Sequence, residues 1–250
     1  MARLPSQFDP EVSFAIERAA VRAWPADEVE EVEGWLLRRT EGVGRRRSNS
    51  LLPPADPAHA VRTLELALAT AEELDVAPVV QVAPAEVHLR LDEALEDRGM
   101  ALGGRTLVLA GRLAARRSAE GVVLGDLGAA WVERWARLTG SSEARQTADL
   151  VLSQLGDRAR FAHVDEDGEP VAVAVGVVDG EWLGVFSLAV APAARRRGIA
   201  SRVMDALESW AADAGASRAY LQVEADNDAA LALYARRGMV IAHSYHYRSA

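Results

Sequence analysis

The feature that most constrains the fold is the stretch from Ser187 to Met204, where the apolar run Ser187-Leu-Ala-Val190 breaks at Pro192, passes through Arg195-Arg-Arg197, and reaches Gly198 at the start of an amphipathic pattern. A strand ending in proline, a turn rich in backbone donors and a helix N-terminus must follow one another there. The first N–H groups of a helix lack partners within it, and the macrodipole adds partial positive charge, so this geometry attracts a phosphate. Gly198 lets backbone approach closely, and the forked guanidinium groups of Arg195, Arg196 and Arg197 suit phosphate oxygens. A solvated arginine turn before an ordinary helix would look the same in isolation.

A second stretch makes the first more specific. Tyr220 to Met239 reads as a strand, an Asn/Asp cap at Asn227-Asp228, a helix carrying Tyr234, and a glycine stop at Gly238. Taken together, Val190-x-Pro192, Arg195-x-x-Gly198-x-Ala200, Asn227, Leu233-Tyr234 and Gly238-Met239 resemble the GNAT superfamily of acyl-CoA-dependent N-acetyltransferases, over about residues 120 to 250. Where that family has glutamine or arginine, then glycine, then glycine or alanine in its pyrophosphate loop, this chain has Arg195, Gly198 and Ala200.

The resemblance implies acetyl-CoA as co-substrate, no metal, and acetyl transfer to an amine acceptor. It places Arg195, Arg196, Arg197, Gly198, Ile199, Ala200 and Ser201 on the pyrophosphate, and Leu188, Ala189 and Val190 along the pantetheine arm as an added strand. The N–H of Val190 would then point at the thioester oxygen, Asn227 would cap its helix or bond the arm, and Tyr234 would protonate the departing thiolate. Many members carry a glutamate in the strand before the loop, but around Val185 this strand offers only apolar residues. Glu224 is the best remaining carboxylate for a base; His163, His243, His246 and water-mediated deprotonation stay open.

Composition narrows the alternatives. A net charge of -9 argues against nucleic acid, which needs a basic face. All 28 basic residues are arginine, which rules out a lysine base or Schiff base, and the absence of cysteine rules out disulfides and a cysteine acyl-enzyme. Neither a signal-like leader nor a membrane-length apolar run is legible, so the expected compartment is the cytoplasm.

Upstream, the helical spacing of Phe14, Ala15, Val21 and Trp24 ends at Pro25, and strands are expected at Gly34 to Thr40 and Arg47 to Leu52. Asp56-Pro57 opens a helix whose apolar face is Val61, Leu64, Leu68 and Ala71; a strand at Pro78 to Pro84, a helix at Glu86 to Arg98 and a strand at Thr106 to Ala110 follow. The pattern lapses at Arg112 to Gly121, which sets the expected domains at 1–115 and 119–250.

The two halves resemble one another. Ser50-Leu51, Gln81-Val82 and Arg98-Gly99-Met100 run parallel to Ser187-Leu188, Gln222-Val223 and Arg237-Gly238-Met239. The expected fold is α/β (α+β), with two GNAT-like domains, each a mixed, mostly antiparallel sheet flanked by helices. In the first copy Pro53-Pro-Ala-Asp-Pro57 replaces the arginine-glycine loop and Leu95 stands in place of Tyr234, so that copy should hold no phosphate and serve as scaffold and one wall of the acceptor cleft. Two functions fit the sequence: an N-acetyltransferase acting on a primary amine, and a non-catalytic acyl-CoA-binding regulatory protein.

Overall fold

The computed structural model describes residues 10–113 and 119–250. The boundary expected at Arg112 to Gly121 includes 114–118, which lie outside the described residues. The chain divides into two compact units: Met1–Leu109 with Val223–Asp228 and Ile241–Ala250, and Ala110–Gln222 with Ala229–Val240.

In the first unit, helix α1 (Pro10–Ala23) precedes strands β1 (Glu28–Val32), β2 (Trp35–Arg39) and β3 (Ser50–Leu52). Helix α2 (Pro57–Glu73), strand β4 (Val79–Val82), helix α3 (Leu89–Asp97) and strand β5 (Ala101–Arg112) follow. The cap expected at Asp56 is present, its carboxylate accepting from the N–H groups of Ala58 at 2.9 Å and His59 at 3.2 Å ahead of Pro57. The buried stripe of α2 is Ala60, Leu64, Ala67 and Ala71, while Val61 and Leu68 sit at its margin. It packs with Trp35, Leu37, Leu51, Val80, Leu91 and Leu95 into the core of this unit.

Four elements here differ from expectation: α3 begins at Leu89 rather than Glu86, β5 runs from Ala101 to Arg112 rather than from Thr106 to Ala110, and β1 and β3 differ as follows. Strand β1 is Glu-Val-Glu-Glu-Val, too charged to show alternation, and it is recruited by antiparallel pairing that sets Glu28 opposite Arg39, with a 3.2 Å bond between them. Strand β3 starts at Ser50 rather than Arg47, because Arg46–Ser48 turn as a short 3₁₀ segment and Asn49 Oδ1 accepts the Thr40 N–H at 2.8 Å.

The second unit contains strand β6 (Val123–Gly125), helices α4 (Ala129–Thr139) and α5 (Ala144–Leu150), and the strands β7 (Ala159–Glu166), β8 (Glu169–Asp179) and β9 (Trp182–Val190). Helix α6 (Ile199–Asp213), strand β10 (Arg218–Glu224), helix α7 (Asp228–Arg236) and strand β11 (Val240–Ser249) complete the chain. Strands β6 to β9 form an antiparallel meander, and β10 runs parallel to β9. Strand order is β10-β9-β8-β7-β6 here, and β1-β2-β3-β4-β11-β5 on the side of the first unit, where β11 lies antiparallel to β4 from His246↔Val82 to Ser249↔Val79.

Helices cover both faces of the meander. On one, Trp131 of α4 donates its indole N–H to the Ala162 carbonyl at 2.8 Å and meets Phe161 edge-on. On the other, Leu207 and Trp210 of α6 close over Gly176. Burial of such large apolar side chains contributes roughly 1.5–3 kcal/mol each. No helix among the described residues is long and apolar enough to cross a membrane.

Candidate functional site

The site grows out of a defect in strand β9. Its antiparallel ladder with β8 pairs Val175 with Phe186 and Val173 with Ala189, so Ser187 and Leu188 together face Ala174. This is a β-bulge, and Ser187 takes φ +53, a left-handed conformation that costs a non-glycine residue of order 1 kcal/mol. The parallel ladder between β9 and β10 runs from Trp182↔Arg218 to Val185↔Leu221. Residues 187–190 therefore lie past its end.

Hydrogen-bond alternation then fixes where Val190 points. The Ala191 N–H donates to the Val171 carbonyl at 2.8 Å, so the neighbouring pair Val190↔Ala172 is of the non-hydrogen-bonded kind. The Val190 N–H and carbonyl are thereby turned away from β8. Arg195 Nε donates to that carbonyl at 3.2 Å, folding the loop back on the strand that precedes it.

Pro192–Ala194 form a single 3₁₀ turn, after which Arg196 stands at φ +65 and Gly198 at φ +78, directly before α6. A Cβ added at Gly198 would meet nothing within 4 Å, so the space over this helix N-terminus is open. Arg195, Arg196 and Arg197 are exposed. Arg197 makes a two-pronged bond to Glu166, at 2.8 and 3.1 Å, which directs its fork toward the β7–β8 turn and offsets part of its charge. Ile199 is buried and anchors the helix, while Ala200 and Ser201 are partly exposed on its first turn.

Tyr234 lies on α7, buried, with its hydroxyl pushed up to about 12 by desolvation against a smaller opposing pull from Arg237. Arg237 itself connects the two helices. Its Nη1 donates to the Ser201 carbonyl at 3.3 Å, and its Nη2 lies 2.8 Å from both Asp205 Oδ1 and Glu208 Oε1 on α6. The helix that carries the tyrosine is thus clamped to the helix that begins at Gly198. No local pattern in the sequence marks Arg237 for this role, since its partners lie 29 to 36 residues away.

Leu188, Ala189, Val190, the Arg195–Ser201 loop and Tyr234 all belong to the second unit. Glu224 and Asn227 belong to the segment grouped with the first unit; both are exposed, and the Asn227 N–H donates to the Glu224 carbonyl at 3.0 Å in the turn ahead of α7. The histidines have other occupations. His243 is buried against Glu17 at 2.6 Å, and His246 bonds Asp92 at 2.7 Å, both in the first unit. His163 is half-buried on β7, its pKa lowered by desolvation and then by Arg134. No group of acidic, histidine or cysteine side chains suited to a metal occurs among the described residues.

The arrangement provides an outward backbone donor beside a strand gap, a donor-rich helix N-terminus next to it, and a protonated phenol on the adjoining helix. The profile of the family described as "Probable histone acetyltransferase Rv0428c C-terminal" matches residues 14–248. The Uncharacterized N-acetyltransferase YobR of Bacillus subtilis (strain 168) is 27% identical over 242 residues, which is 93% of this chain and 96% of the relative. Among solved structures, a GCN5-related N-acetyltransferase from Kribbella flavida has a TM-score of 0.59 at 18% identity, covering 96% of this chain and 95% of its own. A functionally unknown conserved protein from Staphylococcus epidermidis ATCC 12228 reaches 0.62 at 12% identity, covering 88% and 91%. At such identities the solved structures speak to the fold.

Proposed function

Since the chain belongs to the family described as probable histone acetyltransferase Rv0428c C-terminal and is a GNAT-type N-acetyltransferase, we propose that it moves the acetyl group of acetyl-CoA onto a primary amine by direct attack. The observation that carries the mechanism is the outward N–H of Val190, just past the end of the β9–β10 ladder.

A pantetheine arm bonding the exposed edge of Leu188–Val190 would extend the sheet where β10 leaves it, with its pyrophosphate over the Arg195–Ser201 loop. The neutral amine nitrogen attacks the thioester carbon, and the carbonyl oxygen gains negative charge facing the Val190 N–H. Collapse forms the C–N bond and breaks the C–S bond. The phenol of Tyr234 gives its proton to the leaving thiolate, and the nitrogen loses one through water. A phenol held near 12 stays protonated at neutral pH and can serve as that donor. Release of free CoA from acetyl-CoA across a panel of primary amines, including a lysine-bearing histone-tail peptide, tests the reading; no CoA release above background with any amine would reject it.

The two halves read as tandem copies, split near 115–119, of which the first binds no CoA. Equivalent helix ends support this. In α2 the N–H of Val76 donates to the Ala71 carbonyl and that of Leu74 to Thr70; in α6 Ala216 donates to Ala211 and Ala214 to Trp210. Likewise Met100 donates to Leu95 and Met239 to Tyr234, both at 3.1 Å. Leu95, at the place of Tyr234, is a fully buried core residue with no proton to give. Titration should find one CoA per chain.

A further inference from the structure

Near the start of strand β5 stand Gly103 and Gly104, and both glycines face one side chain. A Cβ at Gly103 would stand 3.2 Å from Arg46 Nη1; one at Gly104 would stand 3.1 Å from the same nitrogen and 3.0 Å from Tyr247 Cδ2. The Tyr247 ring closes the slot, its centroid 5.5 Å from Arg46 Cζ. Arg46 is exposed, yet its head group is seated, which removes part of the rotamer entropy an arginine gives up on gripping a ligand.

Elsewhere in this unit arginines meet carboxylates: Arg39 meets Glu28, Arg98 meets Glu65, and Arg248 meets Asp92. Among the described residues no carboxylate pairs with Arg46, whose contact is the face of an aromatic ring. A cation–π contact uses no hydrogen-bond donor and so leaves N–H groups of the guanidinium for an acceptor. Two further arginines stand near Tyr247, with the Glu17 carboxylate beyond Arg38. Arg38 is buried, and its guanidinium is bonded to neutral oxygens: Ser50 Oγ at 2.6 Å, the Ser50 carbonyl at 3.3 Å and Gln81 Oε1 at 2.7 Å. Arg47 lies over the Trp24 ring, 5.5 Å from its centroid, and the pKa of Arg38 is lowered by burial first and by Arg47 to a smaller degree, against an opposing pull from Glu17. In a chain of net charge -9 this places three arginines around the Tyr247 ring, one of them a seated, forked donor.

The geometry points to a binding site in the first unit for the carboxylate or phosphate oxyanion of a small molecule, with Arg46 as its forked donor and Arg38 and Arg47 supplying the field. The site lies beside the turn that carries Glu224 and Asn227, because the Arg105 carbonyl, next to Gly104, accepts the Ala225 N–H at 3.1 Å.

The test is calorimetric titration of the full chain with inorganic phosphate and, separately, with acetate. Coenzyme A is present in saturating amount so that the Arg195–Ser201 loop is occupied, and a prior titration with coenzyme A alone reports on that loop independently. Saturable binding of at least one anion is expected, and the tighter of the two assigns the ligand as phosphate or carboxylate. Arg46→Gln should weaken it about tenfold, equivalent to about 1.4 kcal/mol. Gly103→Ala, which keeps every charge but fills the slot, should weaken it too, whereas Arg98→Gln should change nothing. Absence of saturable heat with either anion, or binding unaltered by Arg46→Gln, overturns the inference whatever acetyl-transfer assays report.

Discussion

The ring of Tyr220 lies so close beneath Gly184 that a Cβ there would stand 2.5 Å from the tyrosine hydroxyl oxygen and 2.8 Å from Cζ. Tyr220 is fully buried and edge-on to both Trp182 and Phe186, so the ring has nowhere to retreat. Gly184→Ala should cost about 2 kcal/mol through overpacking. Denaturant unfolding checks this; a midpoint shift equivalent to less than about 0.5 kcal/mol would mean that the aromatic cluster relaxes freely.

Tyr234→Phe should lower kcat by roughly 10²-fold while CoA affinity stays nearly intact, because the proton matters in the transition state. Its pKa gives a pH signature as well. Burial raises the folded-state value to about 12 from an ordinary 10, so in the window between them the unfolded chain has released a proton that the folded chain retains. Tyr234 therefore contributes no pH dependence of stability below pH 10, and stability falls as pH rises from about 10 to 12. That part of the fall should vanish in Tyr234→Phe, which side-by-side melts would reveal.

Gly198→Val separates folding from binding. A Cβ there meets nothing within 4 Å, so the main structural cost is the positive φ, about 2 kcal/mol for a β-branched residue. CoA binding should nevertheless weaken more than tenfold, as a side chain would stand where the pyrophosphate approaches. Unchanged affinity in calorimetry would remove the loop from the CoA site.

Arg237→Met should be the most damaging of these substitutions. It leaves the buried carboxylates of Asp205 and Glu208 without their shared guanidinium, a loss of about 3–5 kcal/mol. With the clamp to the Ser201 carbonyl also gone, kcat should fall in whatever fraction stays folded. Arg237→Lys keeps the charge but not the fork and should rescue part of the stability.

A fragment of residues 120–250 should not form a stable, active domain. Its β11 would lack β4, the partner it pairs with from Val79 to Val82, and the N–H of Leu113, which donates to the Ser217 carbonyl at 3.1 Å, would be missing. Cooperative melting and acetyl transfer by such a fragment would refute this.

How much could be read from residues alone follows the distance over which each feature is encoded. The loop between β9 and α6 was legible because Pro192, the three arginines and Gly198 are adjacent, and α7 was legible because Asn227 and Gly238 bracket it. The strands β1 and β6 were not, one being too charged and the other only three residues long. The left-handed Ser187 had no warning either, since serine does not advertise positive φ as glycine does. Arg237 and the pair His243–Glu17, 226 residues apart, depend on tertiary contacts that no local pattern encodes. The same holds for the return of 241–250 to the first unit.

That return imposes an order of events on biosynthesis. A ribosome that has released the residues through Arg112 has made every helix of the first unit and all its strands but one, yet the edge of β4 that will receive β11 waits through more than half the chain. Until residues 240–249 emerge the early half lacks the strand that pairs with β4, and that edge is open to strand addition from other nascent chains. Translation speed through the second half, and the chaperones met meanwhile, should govern the yield of native protein more than the stability of either unit.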